Sequence, residues 1–464
     1  MQRFLTLSIL FLVVALLAAG LFFLKSEDDA PALPAAGESA YRMLYERSRQ
    51  SFWYMTVTLA SGESYTVESS MGFDESGNLL GVYNSLGQPV TVKETPDFAL
   101  DALSYQMMVL TAANLPVTAS YSGLDRGACG LSAPTARIEI FYHDAEPVIL
   151  TIGNPTFSGY SCYVCIEGDA DVHLAPIDFY DVMTKPLNDH HRLVTGIKNP
   201  PSSAVQIAVI RPGQQNFIAA NYGKEGRILP WQVDTPYVHA GSTERILDFV
   251  EKICEISAEA YVDTAYSLSD LEKYGLHEPS RLLVAFSDGT IRDIHLGDEA
   301  GDGLVYARLD SGGDVYLVNK ARLPVFDKGG TDALLDRFIT LVSSENIDSV
   351  AVRTTNEEWL LTISREPDQP NVYRINGKEV SSEQFGPAYT GIVGLQFDKT
   401  AEAMPMGDRL IDVRLLHTDG TVSSMSFYEY DLNYVQVETS GGGQFLMRTE
   451  RLNNMLTALR EGMQ

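Results

Sequence analysis

Two stretches of this chain, 145 positions apart, carry the same framework. CGLSAPTARIEIFYHDA (129–145) and YGLHEPSRLLVAFSDG (274–289) each set Gly-Leu, two intervening residues and a Pro before a strand-like run ending in a turn. Gly130, Leu131 and Pro134 match Gly275, Leu276 and Pro279. Gly153 and Gly159 match Gly297 and Gly303 at a spacing of 144, and Tyr163 and Asp171–Leu174 match Tyr306 and Asp314–Leu317 at 143. A drift of two residues over some forty positions is what hairpin insertions produce, so the chain is read as duplicated. A glycine can take the left-handed turn at no steric cost, a Leu can plug a core, and a Pro ends any helix before the strand. The echo is therefore read as a structural joint.

A fainter third copy follows. HTDGT (417–421) echoes FSDGT (286–290), and NYVQVE (433–438) echoes VYARLD (305–310), but PMGDRL (405–410) replaces the joint. Each copy opens on an alternating hairpin, in MTVTLASGESYTVES, AVQIAVIRPGQQNFIAANY and SVAVRTTNEEWLLTIS. Apolar residues at every second position around a turn signal a strand pair. A helix is expected next. In copy two Ser242 is its cap, with Ile246, Phe249, Val250, Ile253 and Ile256 as the apolar stripe. In copy one the cap is Thr95 with Pro96 at the first helical position, and the stripe is Leu100, Leu103, Met107 and Leu110. Three or four strands follow the joint. Because the period exceeds that of solenoid repeats, each copy is read as a small domain. The expected fold class is α+β: tandem β-rich units, each with antiparallel strands plus a packed helix, after one N-terminal transmembrane helix.

That membrane helix is expected at Phe4–Leu24, 21 residues without a charge. At 1.5 Å per residue the run spans about 30 Å, the thickness of a bilayer core. Arg3 precedes it, while Lys25 is followed at once by Ser26, Glu27, Asp28 and Asp29, so the positive-inside rule places Met1 in the cytoplasm and the rest outside. A cleaved signal peptide is the rival reading, with a shorter apolar core. The expected segments are an anchor at 1–24, a linker at 25–44, and units at 45–197, 198–345 and 346–464. Asp and Glu number 61 against 34 Lys and Arg, a net charge of −27. That balance argues against nucleic acid and against electrostatic docking on anionic lipid.

Copy two resembles the bacterial family catalogued as "domain of unknown function 4340". The residues that carry the resemblance are LEKYGLHEPSRLLVAF, IHLGDEAGDGLVYARLD and DVYLVNK, preceded by LPWQVDTP and STERILDFVEKICEI. It is specific over roughly 230–341 and weaker over copies one and three. The resemblance implies one amino-terminal membrane segment and a repetitive extracytoplasmic region. Some members of that family are encoded beside ABC-type transporter components of the kind linked to gliding motility and envelope export, and the resemblance implies such a neighbourhood here. It carries over no catalytic residue.

No chemistry-bearing constellation assembles along the chain, so no catalytic, cofactor or metal residue is assigned. Cys162 and Cys165 fall in a predicted strand, where positions three apart face opposite ways with Cα atoms on the order of 10 Å apart, too far for a mutual disulfide. Buried thiols are expected of the four cysteines, and a bridge from Cys129 to either stays open. His190-His191 reads as a solvated loop pair without a third zinc ligand. Asp298, Glu299 and Asp302 lie in a Gly-rich turn without the ligand alternation of a calcium loop. SGGGQ (440–444) joins two strands and lacks the lysine of a phosphate loop. Trp231 reads as a core or edge aromatic. The expected function is thus non-enzymatic: an extracytoplasmic scaffold or accessory partner of an ABC-type transporter or envelope complex. Capture of an envelope glycan or peptide is the alternative, and an envelope hydrolase a distant third.

Overall fold

The computed structural model describes residues 42–463, apart from 71, 74–78, 81–82, 224–227, 265–266, 311 and 406. The anchor expected at Phe4–Leu24 and nearly all of the expected linker lie outside the described residues. Among the described residues no helix is long and apolar enough to cross a membrane.

Each repeat is built on one large antiparallel sheet with the same strand order, and repeat one adds two two-stranded pairs, Arg42–Glu46 with Asn114–Val117 and Gly72–Phe73 with Leu79–Leu80. In repeat two the order is His239–Ala240, Trp231–Thr235, Phe217–Asn221, Ala204–Ile210, Ser280–Phe286, Ile291–Gly301, Leu304–Leu309, Asp314–Asn319 and Ala260–Thr264. The chain runs outward through a first meander and crosses over through the helix Thr243–Glu255. It then lays one strand on the far edge and fills the middle with a second meander. In repeat three the order is Lys378–Val380, Val372–Ile375, Glu358–Ser364, Ile347–Thr354, Arg409–His417, Val422–Glu429, Tyr434–Thr439, Gln444–Arg448 and Lys399–Thr400. Repeat one lacks only the outermost strand, with Val90–Val92, Ser64–Ser69, Phe52–Leu59, Ala136–Tyr142, Val148–Pro155, Ser161–Ile166, Val172–Pro176 and Ala119–Tyr121. The chain is α+β and β-rich, and the repeat without the Gly-Leu-x-x-Pro joint folds like the other two.

Alternation explains the core. Leu282, Val284 and Phe286, then Ile294 and Leu296, then Val305, Ala307 and Leu309 are buried on one face of sheet two. Helix Thr243–Glu255 covers that face with Ile246, Phe249, Val250 and Ile253, the stripe read from spacing, and Ile256 is buried at its C-cap. Leu276 goes to the opposite face, into a small cluster with Val315, Tyr274 and Tyr306. The same small cluster recurs in repeat one as Leu131, Val172, Cys129 and Tyr163, joined by Cys165.

The helix of repeat one departs from its expected face. Thr95 closes a turn onto Phe98, and the helix is Ala102–Ala113. Of the expected stripe Leu100 is buried but precedes the helix and Met107 is half-buried, whereas Leu103 is 56% exposed and Leu110 is exposed; Ser104, Met108, Thr111 and Ala112 are buried instead. Tyr45 Oη donates to Thr111 O at 2.5 Å and Tyr142 Oη donates to Ala112 O at 2.7 Å, so the helix end is tied through its carbonyls.

The described residues up to Phe98 form one compact unit with Leu103–Lys185. The other unit is Ala99–Ala102 with Pro186–Gln464, holding repeats two and three over one continuous hydrophobic core. The segment joining these two repeats works as a seam. It bridges Gly241 to Leu335 on one side and Phe338 to Gln396 on the other. The bonds Asp336 N to Ala240 O, Ile339 N to Leu395 O and Phe397 N to Arg337 O extend those bridges. Aromatic rings line the seam: Phe445 lies 4.5 Å from Phe397 and 4.8 Å from His239, centroid to centroid.

Candidate functional site

A cleft of about 820 Å³ lies between repeats two and three, beside the seam. Repeat two contributes Trp231, Gln232 and His239, the joining segment Ile339–Ser343 and Asn346, and repeat three the hairpin from Leu415 to Met425 with Thr439–Gly441. The volume suits a small ligand, whose pockets run to roughly 300–1,000 Å³. Hydroxyls and amides dominate the polar lining: Thr340, Ser343, Asn346, Thr418, Thr421, Ser423, Ser424 and Ser440.

The fold supplies these groups for local reasons. Strand alternation turns Met425 and Phe427 into the core and leaves Ser424 and Ser426 half-buried. His417 opens the hairpin turn, and its Nε2 is hydrogen-bonded to Ser423 Oγ at 2.8 Å. Asp419 turns to Thr421 instead, accepting from Thr421 N and Oγ1 at 2.9 and 2.6 Å. Those bonds hold its carboxyl below the ordinary carboxylate range. His239 is buried, and its Nε2 donates to Asp336 O at 3.0 Å. Burial pushes this imidazole below its usual range, only partly offset by Asp336, so it is neutral at neutral pH. Such a lining can recognise an uncharged, hydrogen-bonding ligand.

The structure also gives His173, one of the scattered histidines, two side-chain partners. His173 Nδ1 meets Ser120 Oγ at 2.8 Å and His173 Nε2 meets Asp169 Oδ2 at 3.1 Å. These are the residue types of a hydrolytic triad, here with His173 buried in the sheet and Asp169 half-exposed at its edge. The set fastens edge strand Ala119–Tyr121 to the loop before Val172. The Asp171 N–H, more than His173, holds the Asp169 carboxyl low.

His190-His191 is corrected from a solvated pair to a buried one, at 0% and 5% exposure. His191 stacks on Tyr261 at 3.9 Å and its Nε2 lies 3.3 Å from Asp314 Oδ2. Asp101 N donates to His190 O and Arg192 N to Ala99 O, which hold the segment in place. The partner carboxylate is 123 positions away, and no local pattern reports such a contact. Burial pushes the Asp314 carboxyl up, but bonds from His191, Thr264 and Tyr316 outweigh it and leave it below the ordinary range.

The remaining sequence candidates have structural positions. Cys162 and Cys165 face opposite sides of strand Ser161–Ile166, and all four cysteines are free and buried. Glu299 pairs with Lys320 at the Gly-rich turn. Among the described residues no three His, Cys, Asp or Glu are grouped to hold a metal ion. Trp231 is a buried core ring. The SGGGQ run joins its two strands as expected and has a second role. Val238 N donates to Gly441 O at 3.0 Å, and a Cβ on Gly441 would stand 2.4 Å from Val238 O. Repeat three thus closes on repeat two at this glycine.

Fold and cleft together define a class: a tandem-repeat protein of antiparallel sheets in which two repeats share a core. Residues 231–405 match the family model "Domain of unknown function (DUF4340)", so the chain carries a domain of that family. The match starts in the third strand of sheet two and continues beyond the expected stretch through the first meander and helix of repeat three. No curated protein and no solved structure matches the chain.

Proposed function

We propose that this chain is a non-enzymatic scaffold or accessory protein, held at the membrane by Phe4–Leu24 and facing outward, that works within an ABC-type transporter or similar envelope complex. The observation that carries this reading is the seam. Repeats two and three share one core, and the segment joining them is bridged to both, which gives a body that presents fixed surfaces. Support for the transporter setting comes from the family resemblance. Mild-detergent purification of the full-length protein, with mass spectrometry of co-purifying subunits, is the test, and the fragment from Ser39 onward is the control. Transporter subunits recovered with the anchored form alone support the reading, and their absence from both eluates ends it.

The cleft favours a second reading, capture of an uncharged envelope glycan or peptide. Its lining is rich in hydroxyls and amides and holds one carboxylate, Asp419, engaged with Thr421. The fragment from Ser39 onward should then retain binding, and Ser424→Trp, which fills the cleft, should abolish it in calorimetry against cell-wall fragments.

A further inference from the structure

The hairpin of repeat one between Val148–Pro155 and Ser161–Ile166 holds two aromatic side chains in water. Phe157 is fully exposed and Tyr160 is 77% exposed. The tip is braced from within. Thr156 N donates to Ser161 O at 2.7 Å and Gly159 N to Thr156 O at 2.9 Å, and Thr156 Oγ1 is hydrogen-bonded to Ser158 Oγ at 3.1 Å. Gly159 takes the left-handed conformation at φ +73° that closes so tight a turn. A braced tip presents its rings at little further cost in conformational entropy.

Charge sets this tip apart from its counterparts. From Thr151 to Ile166 there is no charged residue, in a chain of net charge −27. The matching stretch of repeat two carries Asp298, Glu299 and Asp302. In repeat three the matching tip exposes Leu432 at 97%, but beside Asp431 and Glu429. Of the three tips only that of repeat one exposes aromatics in a stretch that is itself uncharged, and its acidic neighbour in the fold is the exposed Asp178, one residue beyond the Ile177 N–H that donates to Tyr160 O at 3.1 Å.

We propose that the tip Thr156–Tyr160 seats Phe157 and Tyr160 in the interfacial layer of the bilayer that carries the chain. This rests on the tethered reading above. Residues 25–41, between the apolar run and the first described residue, can extend at most about 60 Å. A unit the length of 42–185 has a radius of gyration near about 15 Å, so at full extension that length would exceed its diameter and chain length alone does not keep the tip from the bilayer. Tyr favours the headgroup level of a bilayer, and Phe is among the side chains that interfacial segments bury at the headgroup–acyl boundary. Two rings alone hold a protein there weakly, but a second signal added to a membrane anchor gives stable docking. The acidic surroundings favour zwitterionic over anionic lipid.

The test uses the full-length chain in phosphatidylcholine vesicles, with a spin label attached through Ser158→Cys, between the two aromatics. The native thiols are buried, so labelling is selective. Seating predicts loss of collisions with a water-soluble relaxation agent and a gain of collisions with oxygen. Both effects should vanish when Phe157→Ser and Tyr160→Ser are added, and a label placed through Asp302→Cys should stay aqueous. A label that remains aqueous while the chain floats with the vesicles overturns the proposal, as does one that becomes immobilised only when membrane proteins are added. A chain that does not float with vesicles ends the tethered reading, and the proposal with it.

Discussion

The carbonyl oxygen of Tyr274 occupies the space where a side chain on Gly297 would begin: a Cβ there would stand 2.1 Å from it. The same oxygen accepts from Asp298 N at 2.9 Å. In repeat one Cys129 O lies 2.2 Å from the Cβ position of Gly153 and accepts from Asn154 N. Gly130 and Gly275 complete the joint in the left-handed conformation, at φ +76° and +67°. The echo that opened the sequence is therefore one contact made twice. Repeat three makes its version with the glycine on the other side, Gly407 against Glu429 O.

Gly297→Ala should cost about 3 kcal/mol, because the obstructing atom is backbone and cannot rotate away. Urea unfolding of the fragment from Ser39 onward measures this as a lowered midpoint. A midpoint like that of the parent fragment would show that the joint yields.

Phe445→Ala removes the ring at the centre of the seam. Its expected cost is about 3–5 kcal/mol, typical of a buried Phe. The transition of repeats two and three should split in two, read by calorimetry. A single transition at the parent temperature contradicts a shared core.

His239 gives acid sensitivity of definite sign. Its folded pKa lies below the usual 6.5, so the unfolded chain binds the proton more readily. The stability this group contributes is present above about pH 6.5 and is lost as pH falls through the folded pKa, by at most about 1.4 kcal/mol per pH unit. His239→Gln keeps a donor for Asp336 O and should flatten that part of the profile between pH 7 and 5.

Asp314→Ala should cost about 2 kcal/mol, since three donors, on His191, Thr264 and Tyr316, lose their acceptor. Tyr316→Phe should cost less. The two variants are compared by their urea midpoints.

The four thiols should resist an aromatic disulfide reagent until the chain unfolds. Burial, with Asp181 adding to it, pushes the Cys162 thiol up to about 12. Fast reaction of the native protein with the reagent contradicts the buried placement.

The sequence by itself determined the duplication, the hairpins, the helix of repeat two and the joint, because each is written in spacing: two along a strand, three and four along a helix, and a glycine where the backbone must pass close. Tertiary structure decided the rest, because it depends on partners far apart in the chain. The end of helix Ala102–Ala113 is tied by the phenol hydroxyls of Tyr45 and Tyr142 on its last carbonyls, partners tens of positions away. Asp314 drew His191 into the interior. Gly441 meets Val238 across two repeats, and the cleft exists only because that closure leaves a gap between two sheets. Periodicity reports which side of an element is apolar, and the identity of what covers it is a long-range fact that only the folded chain contains.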